Sequence, residues 1–80
     1  MDTRGAVVQR ILELCHKRNL SINALAALAA IPPSTLKNII YGVSHNPGIV
    51  TIKLLCDGLD ISLAEFFDTE VFHQLEQEIR

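Results

Sequence analysis

Ser34, Thr35, Lys37, Asn38 and Tyr41 place five hydrogen-bonding side chains in one short stretch, interleaved with Leu36, Ile39 and Ile40 at helical spacing. If the stretch is a helix, the apolar residues face inward and the polar set faces out. Side chains of this size suit the edges of nucleic-acid bases and the phosphates beside them. The Asn38 amide could hold adenine with two hydrogen bonds, whereas the Ser34 hydroxyl could bond several bases and would specify weakly. Plainer roles exist for each. Ser34 and Thr35 would equally serve the first turn of a helix, Lys37 an ordinary solvated surface, and Tyr41 simple packing.

Other chemistry finds little support. No carboxylate pair, no Ser–His–Asp set and no phosphate-binding loop stands out, so an enzyme is not expected. His16, His45 and His73 are isolated and lack metal spacing such as H-x-x-x-H. Cys15 and Cys56 lie far apart with no C-x-x-C spacing, and both fall on apolar helical faces. They read as buried reduced thiols, with neither a zinc site nor a disulfide. No cofactor, metal or small-molecule ligand is expected.

The chain has 80 residues, enough for one domain with a small core. Its hydrophobic fraction of 49% argues against disorder, and its scarce aromatics favour helix on helix. The longest apolar run, residues 24 to 31, stops at Pro32 and Pro33, far short of the roughly 20 residues a membrane span needs. No signal-peptide pattern opens the chain, so a cytoplasmic location is expected. The net charge of −2 hides a division. Residues 1 to 53 carry Arg4, Arg10, Lys17, Arg18, Lys37 and Lys53 against Asp2 and Glu13, a balance of +4. Residues 54 to 80 carry Arg80 against seven carboxylates, a balance of −6. A basic front is compatible with phosphate binding; the bias could equally be a solvated acidic tail.

The elements that would hold the polar stretch can be placed from periodicity and caps. Val8, Ile11, Leu12 and Cys15, flanked by Val7 and Leu14, predict a helix over about residues 5 to 18, with Asn19 closing it. Ser21 is the N-cap of a short alanine-rich helix that Pro32 and Pro33 end. Pro33 suits the first position of a third helix, which Gly42 stops. Residues 44 to 48 form a loop. A fourth helix runs over about residues 49 to 59, with Ile52, Leu55, Cys56 and Leu59 inward and Asp60 as a left-handed stop. Ser62 and Glu65 make a capping box for the fifth. Phe72, Leu75 and Ile79 define a short sixth, with Glu70, Glu76 and Glu78 on its other face. Two short helices joined by three or four residues, between Ser21 and Tyr41, have the spacing of a helix-turn-helix. Ala26 supplies the small side chain that such a crossing needs.

The stretch LSINALAALAAIPPSTLKNIIYGVSHNPGIVTIKLLCDGLDISLAEFF resembles the Cro and lambda-repressor-like helix-turn-helix family, also called the xenobiotic-response-element family. The specific pieces are Leu20-Ser21 with Leu25-Ala26, Ser34-Thr35-Leu36 through Ile39 to Gly42, Asn46-Pro47, and Ile61-Ser62-Leu63 with Glu65-Phe66-Phe67. The resemblance implies an all-α fold, a compact five-helix bundle whose third helix, about residues 33 to 41, lies in the DNA major groove. A short C-terminal helix follows, so residues 1 to 68 form the domain and residues 69 to 80 an appendage. By position, Pro33, Ser34 and Asn38 fall where base-contacting side chains sit. Ser21, Asn23, Thr35, Lys37, Tyr41, Ser44, His45 and Asn46 fall beside the DNA backbone.

Two departures stand out. Ile22 occupies a position where the family usually has a Gln that contacts DNA or braces the recognition helix. Ala30 stands where Gly is common in the turn, and a left-handed alanine costs roughly 1 kcal/mol. Direct readout is then thin, and affinity leans on phosphates, shape and dimerisation. The implied function is a sequence-specific double-stranded DNA-binding regulator, a repressor acting as a homodimer. Phe72, Leu75 and Ile79 would supply the dimer contact, unless that stripe folds back on the bundle. The alternative is a protein-interaction module on the same fold, an antitoxin or anti-repressor whose acidic tail meets a basic partner.

Overall fold

The computed structural model describes residues 1 to 79 and is all-helical among them. Six helices follow in order: α1 Thr3–Arg18, α2 Ile22–Leu28, α3 Pro33–Ile40, α4 Ile49–Leu59, α5 Leu63–Phe67 and α6 Glu70–His73. The all-α bundle with a helix-turn-helix is thus the observed fold. Its core joins Ile11 and Leu14 of α1, Leu25 and Ala26 of α2, Leu36 and Ile39 of α3, Ile52, Leu55 and Leu59 of α4, and Phe66 of α5.

Local chemistry explains the boundaries. Asp2, Ser21 and Ser62 each accept a hydrogen bond from a backbone N–H in the first turn of α1, α2 and α5. The capping box at Ser62 and Glu65 is present. Three helices end alike. Leu20 N–H reaches Cys15 C=O, Ile31 N–H reaches Ala26 C=O, and Ile61 N–H reaches Cys56 C=O, at 2.9 to 3.0 Å. These are Schellman closures, which place one residue in the left-handed region. Here those residues are Asn19, Ala30 and Asp60, with φ of 54°, 57° and 57°. The turn between α2 and α3 therefore rests on a left-handed alanine, as its place in the family pattern implied.

The alanine-rich α2 lets α4 approach backbone to backbone. A Cβ on Gly58 would lie 2.8 Å from the Leu28 carbonyl carbon and 2.9 Å from Ala29 N. Only glycine fits there. Cys15 and Cys56 are buried free thiols, and burial pushes both above the ordinary thiol range.

Two expectations need correction. The inward stripe of α1 is Val7, Ile11, Leu14 and Cys15; Val8 is half-buried and Leu12 exposed. The cause is Arg10, which is itself buried. Its Nε donates to Phe66 C=O at 2.7 Å and its Nη2 to Glu65 C=O at 2.9 Å, it pairs with Glu13, and its guanidinium lies 6.0 Å from the Phe66 ring centre. Turning that side chain onto α5 rotates the helix away from the purely apolar stripe. The sixth helix is also a single turn. Continuing it would put Glu76 and Glu78 at a helix C-terminus, where the dipole disfavours carboxylates. Glu78 instead accepts from Thr3 N–H at 3.0 Å and Thr3 Oγ1 at 2.8 Å, at the favourable N-terminus of α1. Phe72, Leu75 and Ile79 consequently share no helical stripe. Phe72 packs back on Phe67, with ring centres 4.9 Å apart, while Ile79 is 87% exposed. Arg80 lies outside the described residues.

Candidate nucleic-acid interface

Leu36 and Ile39 are buried and anchor α3 from below. That anchoring turns Pro33, Ser34, Lys37 and Asn38 outward, all exposed, with Thr35 half-buried beside them. Pro33 is the first residue of α3, where its missing N–H costs nothing. No side chain caps this helix start. Ser34 and Thr35 are thus not consumed by the first turn, and their hydroxyls stay available to a ligand.

The same surface continues past α3. Tyr41 is 69% exposed, so it projects outward. Gly42, with φ of 89°, lets the chain reverse. Ser44 is half-buried and its N–H donates to Asn38 C=O at 2.9 Å, while His45 and Asn46 are exposed. On α2, Asn23 is exposed. Ser21 Oγ accepts from Ala24 N at 3.0 Å, which leaves its hydroxyl hydrogen free to point outward. The predicted base-facing and backbone-facing residues therefore occupy α3, the N-terminal half of α2 and the α3–α4 loop. Ile22 is half-buried and packs against the core, an apolar use that explains why no amide stands there.

The electrostatics differ from a simple basic front. Arg10 is spent on α5, and Arg4 donates to Ser44 C=O at 2.9 Å and Ile39 C=O at 2.7 Å. Lys17 lies 3.6 Å from Glu13, and Lys53 pairs with Asp57, which raises the Lys53 pKa. Lys37 remains as the exposed ammonium on α3. The stronger signal is an absence of negative charge: no Asp or Glu occurs between Glu13 and Asp57. All of α2, α3 and the α3–α4 loop fall in that interval. A phosphate approaching α3 meets no carboxylate on these elements, and helix N-termini offer partial positive charge.

Arg4 and Arg10 are the residues that sequence reasoning missed. Their carbonyl partners lie 35 to 56 positions away, and no local pattern announces a guanidinium that closes a remote helix end. Among the described residues no His, Cys, Asp and Glu side chains group as a metal site. No described helix is long and apolar enough to cross a membrane.

Known proteins share this arrangement. The HTH-type transcriptional regulator SlrR of Bacillus subtilis (strain 168) is 37% identical over 65 residues. That match covers 80% of this chain and 43% of SlrR, so the chain spans less than half of its curated relative. The crystal structure of the prophage Lp1 protein 11 superposes with a TM-score of 0.80 at 36% identity, covering 94% of this chain and 100% of the other. The model of the Cro/C1-type HTH DNA-binding domain matches residues 10–71, most of the chain, and with the exposed α3 on its α2 support the protein belongs to that family.

Proposed function

We propose that the protein binds double-stranded DNA with α3 in the major groove and acts as a transcriptional regulator, a repressor that occupies its operator as a homodimer. The observation that carries this reading is the outward polar face of α3, Ser34, Lys37 and Asn38, set in a stretch without carboxylates. The likeness to SlrR, named as a transcriptional regulator, supports the regulatory role. Asn38 reads a base; Ser34 adds a weaker contact and Pro33 touches a thymine methyl. Ser21, Asn23, Thr35, Lys37, Tyr41, Ser44, His45 and Asn46 bind the phosphate backbone and set the register. One helix covers few base pairs, so two subunits reading half-sites about 10 base pairs apart are needed for tight binding.

The experiment is a pair of substitutions read on specific and random duplexes. Asn38→Ala costs about 1–3 kcal/mol on the preferred sequence and relaxes the preference at one position. Lys37→Ala weakens every duplex about equally and lowers the salt slope by about one. Equal losses on both duplexes for Asn38→Ala would reject Asn38 as a base reader. The interaction-module reading draws on the crowding of carboxylates into residues 57 to 78. Duplex binding that disappears with Lys37 and Asn38 changed together counts against it.

A further inference from the structure

We propose that Arg4 is a positioning residue for the DNA-backbone contacts, resting on the DNA-binding reading above: its guanidinium fixes the loop between α3 and α4 so that His45 and Asn46 meet a phosphate. Arg4 lies in the first turn of α1, remote in sequence from the recognition helix. Its Nη2 donates to Ile39 C=O, near the end of α3, and its Nε donates to Ser44 C=O inside the loop. One planar group thus clamps both sides of the chain reversal at Tyr41 and Gly42. An Arg side chain has the fork for two carbonyls at once, which a Lys lacks. Its charge also sits at the C-terminal end of α3, where the helix dipole favours a cation.

The loop depends on this clamp. From Ser44 to Pro47 the backbone hydrogen bonds to the bundle are the Ser44 N–H bond to Asn38 C=O and the Arg4 bond to Ser44 C=O; Gly48 C=O then accepts from Ile52 N–H as α4 begins. The first only holds the loop to α3; the second ties it to α1 and so to the core. Gly42 is called for by its φ of 89°; a Cβ there would make only an ordinary contact, 3.6 Å from Arg4 Nη2. His45 and Asn46 follow directly and are exposed. Without the clamp they would still be present, but the loop would lose its fixed geometry and the order would have to be supplied on binding.

The test is a double-mutant cycle between Arg4→Met and Asn46→Ala, read by fluorescence anisotropy on a labelled mixed-sequence duplex at low salt. Asn46→Ala alone weakens binding roughly fivefold, the worth of one hydrogen bond. Arg4→Met alone weakens it roughly tenfold, as for a lost charged hydrogen bond. In the Arg4→Met background Asn46→Ala adds less than about a twofold loss, because the loop is already displaced. Backbone 15N relaxation shows the order falling at residues 43 to 46 and unchanged in the core helices. Arg4→Lys, which keeps the charge and folds if the methionine variant does not, restores less than half of the lost binding free energy. Additive losses, full rescue by Arg4→Lys or an unchanged loop would each overturn the proposal while leaving DNA binding intact. A wild-type protein that binds no duplex would instead overturn the DNA-binding reading beneath it.

Discussion

Ala30 is the clearest case of a residue whose cost can be read directly. Its φ of 57° is the left-handed conformation that L residues other than glycine resist. The family resemblance already pointed to it, because Ala30 stands where glycine is common in the turn. Ala30→Gly is expected to stabilise the fold by up to about 1 kcal/mol and raise Tm by a few degrees. A thermal melt with an unchanged or lowered Tm would show that the turn carries no such strain. Ser21, Asp60 and Ser62 were legible locally, since a cap or left-handed stop is decided by the residue and its neighbours. Arg4 and Arg10 were not, because their partners become neighbours only after the bundle forms. The proposed DNA-facing residues were assigned by position in the family pattern, and the structure leaves most of them exposed on α2, α3 and the loop after it.

Helix packing sets the next scale. The short, small-residue α2 predicts close approach, and Gly58 on α4 is where the approach is tightest. Gly58→Ala forces a Cβ against the Leu28 and Ala29 backbone. The expected loss is about 2 kcal/mol, although alanine is by itself the better helix former by about 1 kcal/mol. A urea titration with an unshifted midpoint would contradict the contact. This matters for the proposed function because α2 is the platform under α3, and any retreat of α4 would move α3 with it. The α1 stripe was misplaced by one helical position because hydrophobic periodicity treats an arginine as outward. Arg10 faces inward because two carbonyls, a carboxylate and an aromatic ring receive it. The sixth helix was overextended for a related reason. Its apolar spacing is helical, but the Glu78 carboxylate finds a better partner at the start of α1.

At the scale of the whole molecule, charge is segregated along the sequence: α2, α3 and the loop after them carry no carboxylate, and the acidic residues are Asp2, Glu13 and those from Asp57 onward. The division holds along the sequence and on α2 and α3; in space Glu78 returns to line one cleft with Thr3, Arg4, His45 and Asn46. The tail holds one packed and one exposed apolar residue, which can be tested separately. Phe72 packs with Phe66 and Phe67 and serves the fold, so Phe72→Ala should lower stability by about 2 kcal/mol. Ile79 is exposed, so Ile79→Asp should leave stability unchanged and shift the protein toward monomer in sedimentation if the tail is the dimer contact. A dimer that survives Ile79→Asp would move the two-fold axis elsewhere on the bundle.

Selecting bound duplexes from a random-sequence pool at roughly physiological salt tests DNA reading most directly. The expected outcome is enrichment of a two-fold symmetric motif whose half-sites lie about one helical turn apart, with the strongest preference lost at one position in Asn38→Ala. A folded protein that enriches no sequence would contradict sequence-specific binding by α3 and favour a partner protein at the same surface.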